Sequence, residues 1–176
     1  MLAVSEVIVS TATFAVALVG AHAYSTGLEV QLQLHARRQD EDDAGWERVR
    51  EIFFGRPGTP EGPGGNRALT YAVALDGGRE VVAFSPFHHP RAWGEMPDGL
   101  SVMSTRPGGG GGPSSMASSP GLWLWGLPAA HRLELIVRWP AAAIAEARAE
   151  IDVNEVAGNV MARHLRIIET LGASAF

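Results

Sequence analysis

Asp40, Asp42, Gly45 and Glu51 carry the sharpest chemical pattern in the chain. They stand at positions 1, 3, 6 and 12 of a calcium loop, hard oxygen ligands around a glycine that permits a sharp turn. Three features weigh against it. Ala44 sits where a ligand oxygen is needed, Glu47 sits where the pattern wants an apolar side chain, and a strand rather than a helix precedes the loop. A charged loop leading into a helix accounts for the same residues. Histidines come next: His88-His89, His22, His35, and His131 three residues before Glu134. Imidazole and carboxylate together suit Zn²⁺ or Fe²⁺. Adjacent or odd-spaced side chains on extended backbone point to opposite sides, however. Surface histidines are the simpler reading, and no metal or other cofactor is implied.

Gly108–Gly112 could present backbone N–H groups to an anion. A phosphate loop also needs Gly-Lys-Ser/Thr, and the chain has no Lys: all 14 basic residues are Arg. Pro113 and serines follow the glycines, so the run reads as a linker. Lysine chemistry and, with no Cys, thiolate or disulfide chemistry are excluded. No Gly-x-Ser-x-Gly nucleophile elbow occurs. Aromatic residues offer another kind of site. Phe87, His88, His89 and Trp93 lie in one Pro/Gly-rich stretch. Trp123 and Trp125 share a face if their segment is a strand, where they could stack on a sugar or anchor a partner. The default for that tryptophan pair is the core of the fold.

The elements that would hold such residues are mostly strands. Leu28, Val30, Leu32, Leu34 and Ala36 alternate with Glu29, Gln31, Gln33, His35 and Arg37. That period of two puts one face on a core and one in water, as in an antiparallel sheet. Thr13–Val19 predicts a strand with Phe14, Val16 and Leu18 on one face, and Gly27 is expected to supply positive φ in the turn that follows. Leu69 to Leu75 and Glu80 to Phe84 flank Asp76-Gly77-Gly78, a hairpin signal. Arg132 to Trp139 alternates again. Gly45–Phe54 predicts a short helix with Trp46, Val49 and Phe53 inward. Residues 141–151 are ambiguous between strand and helix; their alternating Glu146, Arg148 and Glu150 favour strand. A C-terminal helix should start near Val153, capped by Asp152 with Glu155 three residues on, with Val156, Val160, Leu165 and Ile168 as its stripe. Residues 55–67 and 106–120 read as flexible Gly/Pro/Ser-rich loops. Residues 7–23 allow a strand or a cleaved signal. A positive n-region is missing, and the run is too polar and short for a membrane span.

The expected fold is therefore all-β: a single antiparallel β-sandwich domain over residues 1–176, with a short helix near 45–54 and a C-terminal helix. With 46% apolar residues the chain can fill one sizeable core. The Val16–Val30 segment, the poly-Gly tract, Leu122-Trp-Leu-Trp-Gly-Leu-Pro and the run from Trp139 to Asp152 resemble a family of uncharacterised β-sandwich-like proteins from high-GC actinobacteria. That resemblance covers most of the chain. It implies a β-rich fold and a strand at 144–151, and it implies no activity.

A net charge of -5 argues against a nucleic-acid partner. The expected function is a non-enzymatic binding or protein-interaction module in the cytoplasm. Its contact surface would comprise Phe87, His88, His89, Trp93, Trp123 and Trp125, and sheet edges could pair in a homo-oligomer. Two alternatives differ in class. One is a metal-dependent or hydrolytic enzyme on the same scaffold, using the histidines and Glu134 or the acids at 40–51. The other is a secreted or envelope domain.

Overall fold

The computed structural model describes residues 2–54, 67–84, 99–125 and 131–156, and the side chains within them except those of 2–5, 106 and 107. Among the described residues, nine strands form two antiparallel sheets. The larger sheet contains β1 (Leu2–Ser10), β2 (Phe14–Tyr24), β3 (Gly27–Arg37), β7 (Ser115–Trp125) and β6 (Val102–Gly111), in the order β1-β2-β3-β7-β6. The smaller contains β5 (Val81–Val82), β4 (Thr70–Leu75), β8 (Arg132–Trp139) and β9 (Ile144–Asp152), in the order β5-β4-β8-β9. Helix α1 (Asp43–Phe54) follows β3, and a 3₁₀ turn (Pro140–Ala142) precedes β9. Among the described residues no helix is long and apolar enough to cross a membrane.

The period-two reading of β3 holds. Leu28, Val30, Leu32, Leu34 and Ala36 are at most 2% exposed and meet Tyr71, Val73, Leu133, Leu135 and Val137 of the smaller sheet in one core. Burial of these branched side chains drives the two sheets together, since each contributes about 1.5–3 kcal/mol of transfer free energy. Trp46 and Phe53 of α1 join the same core. Trp139 meets the Phe53 ring at 6.2 Å and the Phe14 ring at 4.8 Å, which ties the helix to both sheets. Residues 144–152 form β9, the strand alternative of the ambiguous run. Asp152 caps the turn at 153–156, its carboxylate accepting from the N–H of Asn154 (2.8 Å) and Glu155 (3.2 Å). Val156 of the expected stripe is fully buried; its other members lie outside the described residues, as does 55–66. Residues 7–23 run through β1 and β2, and Val16 and Leu18 are core residues at 0% exposure.

Three expectations are corrected. The tract 106–120, expected as a loop, belongs to the β6–β7 hairpin, with Gly108–Gly111 paired to Ser119–Met116. Glycine discloses no side-chain period, so nothing local marks it as strand. Pairing with β7 supplies the order, and the register shift between Thr105 and Gly108 accommodates Pro107, which cannot donate to a ladder. Gly27 has no positive φ. It is glycine because a Cβ there would stand 2.3 Å from the Leu124 oxygen and 2.8 Å from Trp123 Cζ2. The strand beginning at Phe14 runs on to Tyr24, through a bulge between Leu18 and Gly20 that shifts the inward set from Phe14, Val16 and Leu18 to Ala21 and Ala23.

The turn at 75–78 forms as its sequence requires. Asp76 (φ 47°) and Gly77 (φ 74°) give a type I′ turn closed by Gly78 N–H to the Leu75 oxygen at 2.8 Å. Beyond β5 the chain changes sheets. Phe84 donates to the Val102 oxygen (3.0 Å) and accepts from Ser104 N–H (2.9 Å), a parallel bridge that stitches the two sheets along one side.

Candidate functional site

The two outer sheet faces differ in how their polar side chains are used. On the smaller sheet, one cross-strand row reads Val82, Ala72, Ile136 and Arg148. Ile136, Ala72 and Ala74 form a second small apolar cluster, at most 2% exposed, on the side away from the main core. Ion pairs surround it. Arg138 bonds Glu80 (2.8 Å) and Glu146; Arg148 bonds Glu146 (2.8 Å), Glu80 (3.2 Å) and Glu134. Glu80, Arg138, Glu146 and Arg148 thus close a ring of alternating charge, and the arginine stems contribute apolar cover beneath their charged heads. Bonding to Arg148, then to Arg138, lowers the Glu146 carboxyl below its ordinary range. Bonding to Glu80 raises Arg138. This face satisfies itself.

The larger sheet's outer face does not. Along β3 the outward side chains are Glu29, Gln31, Gln33, His35 and Arg37. Of these, Glu29 is committed, accepting from the Tyr24 hydroxyl at 3.2 Å. Gln31, Gln33, His35 and Arg37 make no side-chain hydrogen bond or ion pair among the described residues. Small residues flank this ridge: Ala15, Ala17 and Gly20 on β2, and Ala117, Ser119 and Gly121 on β7. At its far end the β1–β2 hairpin, Thr11 to Thr13, borders a shallow depression of about 200 Å³ beside His35 and Arg37.

Aromatic rings stand at the other end. Because of the β2 bulge, His22 pairs with Glu29 and Tyr24 with Gly27, so both His22 and Tyr24 face outward. Tyr24 is 44% exposed. Its ring lies 5.3 Å from Trp123 and 6.4 Å from His22, the latter pair stacked at 21°. Partial burial, then the bond to Glu29 and the Glu29 charge, raise the Tyr24 phenol above its ordinary value. Trp123 leans over the glycine at 27. Trp123 and Trp125 do share a face, but it is the outer one, and both are half-buried; Leu122 and Leu124 take the core positions between them. Trp125 stacks on Phe84 at 6.0 Å and 17°. The default expectation of a tryptophan pair in the core is therefore overturned. Alternation puts only one parity of β7 inside, and the leucines fill it.

Phe87, His88, His89 and Trp93 lie outside the described residues. The other sequence candidates are held apart. Asp42 caps α1, accepting from Gly45 N–H at 2.7 Å, and Asp43 pairs with Arg38 at 2.9 Å. His131 Nδ1 meets Asn154 Nδ2 at 2.7 Å, while Glu134 is bonded to Arg148. Among the described residues no group of three or more His, Asp or Glu is placed to hold a metal ion. Sequence reading overlooked His22 and Tyr24 as members of a face, and Gln31, Gln33, His35 and Arg37 as an uncommitted row. The alternation of β3 was the available signal for that row. Compared with known proteins, the chain matches no family model, no curated protein and no solved structure.

Proposed function

We propose that this chain is a non-enzymatic binding module whose working surface is the outer face of the five-stranded sheet. One contrast carries the reading. The charged side chains of the smaller sheet's outer face are bonded to one another, whereas four successive outward side chains of β3 have no partner among the described residues. Polar groups left uncommitted in a row, beside an exposed aromatic ring, are suited to a ligand's hydrogen bonds and apolar surface.

An array of immobilised peptides and oligosaccharides probed with the purified chain tests this. Tyr24→Ala/Gln33→Ala, both at exposed or half-buried positions, should lose the bound set while keeping the wild-type circular dichroism spectrum. A bound set unchanged by the double variant would remove this face from consideration.

A further inference from the structure

The ligand class can be argued from the order of side chains along β3, provided the surface proposed above is the working one. We propose that this face binds an acidic oligosaccharide. Its sugar rings run along β3 from Tyr24 and Trp123, and a carboxylate sits at His35 and Arg37.

Four observations converge on that chemistry. Tyr24 and Trp123 present partly exposed rings on which the C–H face of a pyranose can stack. Gln31 and Gln33 follow, each able to donate and accept, as vicinal hydroxyls require. Arg37 then offers a guanidinium with no ion pair among the described residues, beside His35 and the hairpin depression. Guanidinium is the group best shaped for bidentate contact with a carboxylate. The neighbouring acid Glu41 is turned to the Gln39 N–H (2.6 Å) and the Thr13 hydroxyl (3.5 Å). Finally, beside Gln33 and His35 the neighbouring outward positions are small, Ala15 and Ala17 on β2 and Ala117 on β7, so a flat ring can reach those side chains. Glu29 and Arg37 are eight residues apart on one strand, about 27 Å at the usual rise, which is the span of several sugar rings.

Competing occupants fit less well. A peptide that docks by strand addition needs an open sheet edge, and a sheet face offers it no backbone groups. A nucleic acid carries a phosphate at every step and would need a basic stripe, whereas this ridge has a single Arg at one end and Glu29 at the other, which suits a ligand with one carboxylate.

Calorimetric and tryptophan-fluorescence titrations of the full chain test the inference. The probes are a length ladder of hexose oligomers ending in a single hexuronate and a ladder of neutral hexose oligomers of the same linkage. Affinity for the hexuronate-ended oligomers should rise with length. Arg37→Gln should weaken hexuronate binding roughly tenfold or more, the size expected for losing a charge-assisted bond, and leave neutral oligomers unaffected. Tyr24→Ala should weaken both ladders. Equal affinity for the two ladders overturns the proposal, as does no hexuronate binding at millimolar concentration or an Arg37→Gln variant that binds like wild type. Should peptides on the array bind in a Tyr24-dependent way while hexuronates do not, the saccharide inference falls and the surface reading stands. No response of any ligand to the face substitutions removes both.

Discussion

Replacing Tyr71 by Phe should stabilise this protein, and the gain should grow in alkali. Tyr71 points into the core from β4 at 2% exposure, and its hydroxyl has no hydrogen-bond partner among the described residues. Burying a hydroxyl without a partner costs about 1–3 kcal/mol by mutational measures, and removing one oxygen leaves little void. Tyr71→Phe should therefore gain about 1 kcal/mol at pH 8, or about 2–4 °C in Tm for a domain of this size.

The pH dependence sharpens the test. Burial raises the Tyr71 phenol above its ordinary value of 10.0. A raised folded value means its contribution to stability is intact below pH 10 and is lost as pH climbs towards the folded value, because only the unfolded chain then releases the proton. At pH 11 that release favours unfolding by about 1.4 kcal/mol, one pH unit beyond the ordinary value. The advantage of Tyr71→Phe should thus rise from about 1 kcal/mol at pH 8 to about 2.4 kcal/mol at pH 11. Tyr24, the one other tyrosine, is present in both proteins and cancels in the comparison. Urea denaturation at the two pH values gives the numbers. A loss of stability at pH 8 would mean the hydroxyl is bonded after all, and an advantage that does not grow by pH 11 would mean the phenol ionises freely in the folded state. Either result refutes the argument.

Other substitutions probe separate parts of the structure. Gly27→Ala drives a methyl against the Leu124 oxygen and the Trp123 indole, and should cost about 1–3 kcal/mol with a shifted tryptophan emission; an unchanged urea midpoint would contradict the close approach. Asp42→Ala removes the carboxylate that accepts from Gly45 N–H at the start of α1 and should cost about 1 kcal/mol, read by thermal unfolding. Glu146, lowered in the folded state by Arg148 and Arg138, contributes stability above pH 4.5 that is lost as pH falls through its folded value. Glu146→Gln should accordingly be less stable than wild type at neutral pH and show a shallower decline in acid, both measurable in an acid titration followed by circular dichroism.

Much of the sandwich could be read from residue order because alternation is a local property. Period two in β3 marks Leu28, Val30, Leu32, Leu34 and Ala36 as inward from the sequence alone, and those positions are buried; in β4 and β8 the opposite parity is buried as well, at Ala72, Ala74 and Ile136. The type I′ turn at Asp76-Gly77 and the Asp152 cap are equally local, each depending on one side chain and the backbone next to it. The candidate site was less legible. Trp123 and Trp125 share a face on sequence alone, but the core expected for that face is filled by Leu122 and Leu124, and the pair lies outside.

By itself the sequence determined which residues alternate, where the chain can turn and which chemistries are closed to a protein without Lys or Cys. Tertiary structure alone decided the parity of β2 beyond its bulge, and hence that His22 and Tyr24 join Glu29 and Trp123 outside while Ala21 and Ala23 go inside. It also decided that a run of glycines is a strand and that two arginines and three glutamates gather over Ile136. The reason is the same in each case: these outcomes depend on hydrogen-bond register with strands distant in sequence, and register is a property of the pair rather than of either strand.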